Sequence, residues 1–227
     1  MRRALWAIVA VWLLTLLVIR LAVTLVQQAG APSVLLVVVP ILFAWVPVWD
    51  CWRRGVDEGS YPLTLPPLAV WKRGLVVAGL TCLAVLPPWA VGYHYWQSLA
   101  FGLHPIPGRW PEWVLFLALY HFAVVAIPEE IFYRGYLQAR LDEVFGTPWR
   151  VGGAAVGHGW WVASLLFAFG HSVVVWQWWH FAIFFPGLVF GWMRAKTSDI
   201  AAGSIFHAVC NVTVSILDVH YGLIPPN

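Results

Sequence analysis

Apolar stretches of membrane-spanning length recur along this chain from end to end, and that recurrence leaves few folds open. Crossing a hydrocarbon core of about 30 Å takes roughly 20 apolar residues in a helix. Runs of that kind between polar or Pro/Gly breaks give seven candidates, approximately 4–26, 33–49, 74–96, 113–137, 160–176, 179–194 and 199–219. The second and sixth are short, either little tilted or re-entrant and partly buried, which sets a range of six to eight spans. Composition points the same way. Of the 227 residues 61% are hydrophobic and only 10% charged, against about 25% charged in a soluble domain. The expected fold class is all-α, a polytopic helical membrane bundle forming a single integral membrane domain over residues 1–227.

Basic residues predict the orientation, because cytoplasmic loops carry the excess of Lys and Arg. With the N-terminus cytoplasmic, ten of the 13 basic residues fall inside, Arg109 alone falls outside, and Arg20 and Arg134 lie within spans. An odd number of missed or invented spans would scramble that split. Arg2 and Arg3 before an apolar run, with Ala29-Gly30-Ala31 after it, have the look of a signal peptide. The run is too long for one, about 23 residues against the roughly 7–15 of a signal peptide, so the first helix is read as uncleaved. Many of the 17 Trp residues fall at predicted boundaries, as in an interfacial belt. The +3 formal charge is scattered over loops and not gathered in a stripe, so no nucleic acid partner is expected. Cys51, Cys82 and Cys210 form no CxxC pair, which suggests neither a disulfide framework nor a zinc knuckle.

Ionisable residues inside a span are costly, rare and usually face a partner or a cavity. Here the fourth span holds Ile127-Pro128-Glu129-Glu130-Ile131-Phe132-Tyr133-Arg134, the fifth holds Phe167-Ala168-Phe169-Gly170-His171, and the seventh holds His207-Ala208-Val209-Cys210-Asn211. Glu130 and Arg134 are spaced i,i+4, so on a helix they share a face and can pair. Glu129 points about 100° away and is left free for another task. Pro128 predicts a helix that breaks and restarts, with both glutamates in its first turn, where the helix dipole favours anions. His207 and Asn211 again share one face. Counting about 1.5 Å per residue places all these groups in the cytoplasmic half of the membrane. Arg20 and Asp218, near the outer ends of their spans, are expected to pair. His121, two turns before Glu129, is a candidate supporting residue, and His158 between two glycines is expected in a loop.

A carboxylate and an imidazole in a low-dielectric cavity can deprotonate water, and a further His with an Asn amide can stabilise an oxyanion. Together they describe peptide-bond hydrolysis without a covalent intermediate. No G-x-S-x-G elbow supports a serine mechanism. Two His and a Glu could instead hold zinc, but no H-E-x-x-H is present, so no cofactor is expected and zinc is the alternative.

Together the three motifs resemble the CAAX protease and bacteriocin-processing family of intramembrane glutamic endopeptidases. That family is marked by E-E-x-x-x-R, F-x-x-x-H and H-x-x-x-N, here Glu129-Glu130-x-x-x-Arg134, Phe167-x-x-x-His171 and His207-x-x-x-Asn211. The resemblance covers a protease core of about residues 112–215. It implies a site open toward the cytoplasmic side, in which Glu129 and His171 activate water, His207 and Asn211 form the oxyanion site, and Glu130, Arg134 and Phe167 give support. The partners it implies are the lipid bilayer and a membrane-anchored or lipidated protein or peptide substrate. Small size and the lack of a soluble domain point to a bacterial inner-membrane processing or sorting-signal protease, with a prenyl-CAAX endopeptidase as the alternative. The rival from another class is a proton-coupled transporter or a silent scaffold. A transporter would be expected to show inverted repeats, which are not visible.

Overall fold

The computed structural model describes residues 2–226. Its helical bodies are α1 (Arg2–Gln28), α2 (Val38–Arg54, entered through a 3-10 turn at Ser33–Val37), α3 (Leu68–Phe101), α4 (Val114–Phe145), α5 (His158–Val174), α6 (Phe184–Thr197, entered through a 3-10 segment at Trp178–Ile183) and α7 (Ala201–His220). All seven predicted helices are therefore present. Five of them, α1, α2 with its entry turn, α3, α4 and α7, are long and apolar enough to cross a membrane. Two expectations about length change. The second helix is not short, whereas the fifth, at 17 residues, joins the sixth, at 14, below full spanning length.

α2 continues past Trp49 because its buried acid is neutralised in place. Asp50 accepts hydrogen bonds from Arg53 at 2.8 Å, Arg54 at 2.7 Å and, across to α4, the Tyr136 hydroxyl at 2.7 Å. Gly55, at φ 64°, then ends the helix. Beyond it the chain doubles back onto α4. Tyr61 and Leu63 are buried there, and Tyr61 donates to Glu143, itself paired with Arg140. Burial, ahead of the Glu143 carboxylate, pushes the Tyr61 phenol up, so it remains a donor. Gly135 is required where Pro62 crosses α4, because a Cβ there would lie 2.5 Å from the Pro62 carbonyl oxygen.

α4 does not restart at Pro128. The helix runs through, with π-helical turns at His121–Ala126 and Ile131–Gln138 on either side of Ile127–Glu130. An interior proline removes one i→i−4 bond and crowds the preceding turn, and wider turns absorb that misfit without ending the helix. Glu129 and Glu130 thus sit in the middle of a 32-residue helix and not at a helix start.

α3 packs along α7, α5 against α6 and α1, α6 against α7, and α2 against α4. The aromatic side chains of Phe132, Tyr133, Tyr136, Phe167, Phe190 and Phe206 fill the centre. The outer faces are apolar. Leu99 is 83% exposed, Leu83 76% and Leu115 72%, a surface that lipid covers and water would not. The protein is an integral membrane protein.

Between α4 and α5 the chain forms a two-stranded antiparallel hairpin, β1 (Trp149–Val151) and β2 (Ala154–Val156), outside the all-α expectation. Gly152 and Gly153 both have positive φ, as the tight turn of such a hairpin requires. His158 is the first residue of α5 and not a loop residue, with its ring 4.7 Å from that of Trp149 on the hairpin. The expected Arg20–Asp218 pair does not form. Arg20 donates to the Val174 carbonyl at the end of α5, where a helix leaves carbonyls free, and Asp218 accepts from Tyr93 on α3.

Candidate active site

Three helices supply the motif residues, and aromatic rings lock them together. On α4, Glu130 and Arg134 fall one turn apart and pair at 3.4 Å with both side chains buried. The guanidinium sits over Phe167 of α5 at 4.1 Å and over Phe190 of α6 at 5.0 Å, and it donates to the Gly187 carbonyl at 3.2 Å. A planar, weakly hydrated cation suits a site lined by aromatic rings.

His207 of α7 bridges the two glutamates. Its Nδ1 lies 3.1 Å from Glu130 Oε1, and its Nε2 lies 3.7 Å from Glu129 Oε2. The ring is stacked on Phe190 at 4.6 Å with an interplanar angle of 16°. The two carboxylates differ in freedom. Glu130 is wholly buried, holds both His207 and Arg134, and has its second oxygen packed against Gly203. Glu129 remains 14% exposed and lies farther from His207, while Oε2 makes no hydrogen bond in either carboxylate.

His171 reaches this group through Phe167. The Phe167 ring is edge-on to His171 at 4.7 Å and to His207 at 5.8 Å. Nδ1 of His171 is bonded to the Phe167 carbonyl at 2.9 Å, which leaves Nε2 as the free nitrogen. Asn211 stands one turn beyond His207 on α7, and among the described residues its amide makes no hydrogen bond. The structure thus joins Glu129, Glu130, Arg134, Phe167 and His207 in direct contact. His171 is joined through one ring, and Asn211 by its place on α7. Among the described residues no three His, Cys, Asp or Glu side chains are grouped to hold a metal ion.

Three supporting positions escape a motif search. Phe190 stacks on His207, Gly187 gives its carbonyl to Arg134, and Gly203 makes room for Glu130, whose Oε2 would lie 2.8 Å from a Cβ at that position. The Gly187-x-x-x-Gly191 spacing is a sequence signal for close helix packing that could have marked α6. An apolar groove of about 280 Å³ also runs between α4 and α7, lined by Phe122, Ile205, Ala208 and Val212 among others. None of the site residues lines it.

An apolar bundle that encloses a Glu-Glu-Arg-His group defines a polytopic membrane protein with an acid–imidazole site in its interior. Comparison with known families places it further. Residues 110–213 match the family model described as Type II CAAX prenyl endopeptidase Rce1-like, and over that stretch the chain belongs to this family of intramembrane endopeptidases. No curated protein and no solved structure matches the chain.

Proposed function

We propose that the protein hydrolyses a peptide bond of a membrane-anchored or lipidated protein or peptide, with Glu129 as general base assisted by His171. The observation that carries this is the inequality of the two glutamates: Glu130 is wholly buried and spent on His207 and Arg134, while Glu129 keeps some exposure and approaches His207 only to 3.7 Å. Glu129 removes a proton from water, the resulting hydroxide adds to the substrate carbonyl carbon, and negative charge develops on the carbonyl oxygen. His207, through the Nε2 that Glu129 approaches only to 3.7 Å, and the unengaged Asn211 amide are the donors for that oxyanion. Collapse of the intermediate returns the proton to the departing amine.

The core of this activity lies in residues 112–215, within one membrane domain whose N-terminus is cytoplasmic by the distribution of its basic residues. We favour a bacterial inner-membrane processing or sorting-signal protease, with a prenyl-CAAX substrate as the second reading. Proteolysis in detergent or liposomes tests the assignment, comparing wild type with Glu129→Gln, His171→Ala and Asn211→Ala on anchored and prenylated peptides. Loss of cleavage in the variants is expected, and full cleavage by all three would overturn it.

A further inference from the structure

Tyr133 falls on an unspecified position of the first motif, yet it touches the turn that carries His171. On α4 it stands one turn after Glu129, and it is buried. Its ring meets Phe167 of α5 edge-on, with centroids 4.9 Å apart and planes at 74°. Its hydroxyl lies against the backbone of Gly170, the residue before His171, so closely that a Cβ on Gly170 would overlap the oxygen. The next atoms such a Cβ would meet are Leu16 Cδ1 of α1 at 3.4 Å and Tyr133 Cζ at 3.5 Å, both ordinary contacts. The hydroxyl alone therefore keeps a side chain off position 170.

Glycine inside a helix is less favourable than alanine, and Gly170 lies within α5. A buried phenol likewise brings a polar atom into an apolar place. Phenylalanine facing alanine would fill this space without either cost. Tyrosine facing glycine instead makes a rigid contact from α4 to α5, with a ring and an oxygen in line and a bare backbone at the far end. The two ends of that contact adjoin Glu129 and His171, and the Phe167 carbonyl, in the same turn, holds His171 Nδ1 at 2.9 Å.

We propose that Tyr133 is a positioning residue, a strut of fixed length from α4 to the Phe167–His171 turn of α5 that sets the separation of Glu129 from His171. This role rests on the hydrolytic reading of the site given above.

The test is steady-state proteolysis in liposomes with Gly170→Ala, Tyr133→Phe, the double variant and, as reference, Glu129→Gln, at a temperature where all are folded. Gly170→Ala lengthens the contact and should lower kcat at least about tenfold, with KM within about twofold of wild type. Tyr133→Phe shortens it and should lower kcat about threefold, again with little change in KM. In the double variant the methyl group takes the place of the hydroxyl, so kcat should exceed that of both single variants and return to within about twofold of wild type. Wild-type kcat in either single variant would overturn the proposal. So would a double variant no faster than Gly170→Ala, or one that regains its melting temperature but not its kcat. A rise in KM at unchanged kcat would put Tyr133 on the substrate and overturn it as well. Cleavage by Glu129→Gln at the wild-type rate would instead sink the hydrolytic reading itself, and so separates the two failures.

Discussion

The Glu130 carboxylate holds the His207 ring at 3.1 Å, while the adjacent Glu129 approaches the other nitrogen of that ring only to 3.7 Å. Neighbours in sequence thus have different duties, and substitution should separate them. Glu130→Gln leaves Arg134 buried with its counter-charge gone, and breaking a buried pair in this way costs about 3–5 kcal/mol. Glu129→Gln removes no such pair. Both variants should lose cleavage, but only Glu130→Gln should also melt early, as thermal unfolding in detergent would measure. Equal melting points would show that the Glu130–Arg134 pair does not hold the bundle.

Gly203 gives a second handle on the same carboxylate. A methyl group there would sit 2.8 Å from Glu130 Oε2, and a rigid backbone atom on α7 cannot retreat as a flexible side chain can. Gly203→Ala should displace Glu130, and with it His207. The expected cost is about 1–3 kcal/mol of overpacking together with strongly reduced cleavage. Gly79, whose added Cβ meets nothing within 4 Å, is the control: Gly79→Ala should leave both stability and activity unchanged.

Much of this site was legible in the sequence because charge is so scarce in the spans. Spacing alone anticipated that Glu130 pairs with Arg134, and the pair forms. The seven helices of the described residues were visible as apolar runs, although α2 outran its prediction because Arg53, Arg54 and Tyr136 neutralise Asp50. Pro128 misled, since π turns can carry a helix through a proline and nothing in local composition announces them. The Arg20–Asp218 pairing failed for a related reason. Membrane depth indicates which residues share a level but not which helices are neighbours, and Arg20 found a helix end while Asp218 found a tyrosine. Phe190 and Gly203 were hidden because aromatic and glycine residues are common in such a chain, and only contact distinguishes them.

Arg134 should resist conservative replacement. Its guanidinium packs on Phe167 at 4.1 Å and on Phe190 at 5.0 Å while it donates to Gly187 and pairs with Glu130. A lysine keeps the charge but is compact and strongly hydrated, and it cannot satisfy the ring faces and the carbonyl together. Arg134→Lys should therefore behave more like Arg134→Ala than like wild type, in both melting temperature and cleavage rate. A lysine variant with wild-type activity would show that charge alone supports Glu130.

The latch on α2 should report on stability without touching the chemistry. Asp50 is buried and holds Arg53, Arg54 and Tyr136, which joins α2 to the part of α4 that follows Arg134. Tyr136→Phe removes one hydrogen bond to an ionised group, worth about 1.5–3 kcal/mol, and leaves the arginines to neutralise Asp50. Asp50→Ala removes the acceptor altogether and leaves a buried hydroxyl and two cations without it. The melting temperature should thus fall in the order wild type, Tyr136→Phe, Asp50→Ala. At temperatures where each variant stays folded, its KM and kcat should match wild type, because no latch residue contacts Glu129, His171, His207 or Asn211 among the described hydrogen bonds and ion pairs. A fall in kcat in folded Tyr136→Phe would instead mean that the latch sets the position of the glutamates along α4.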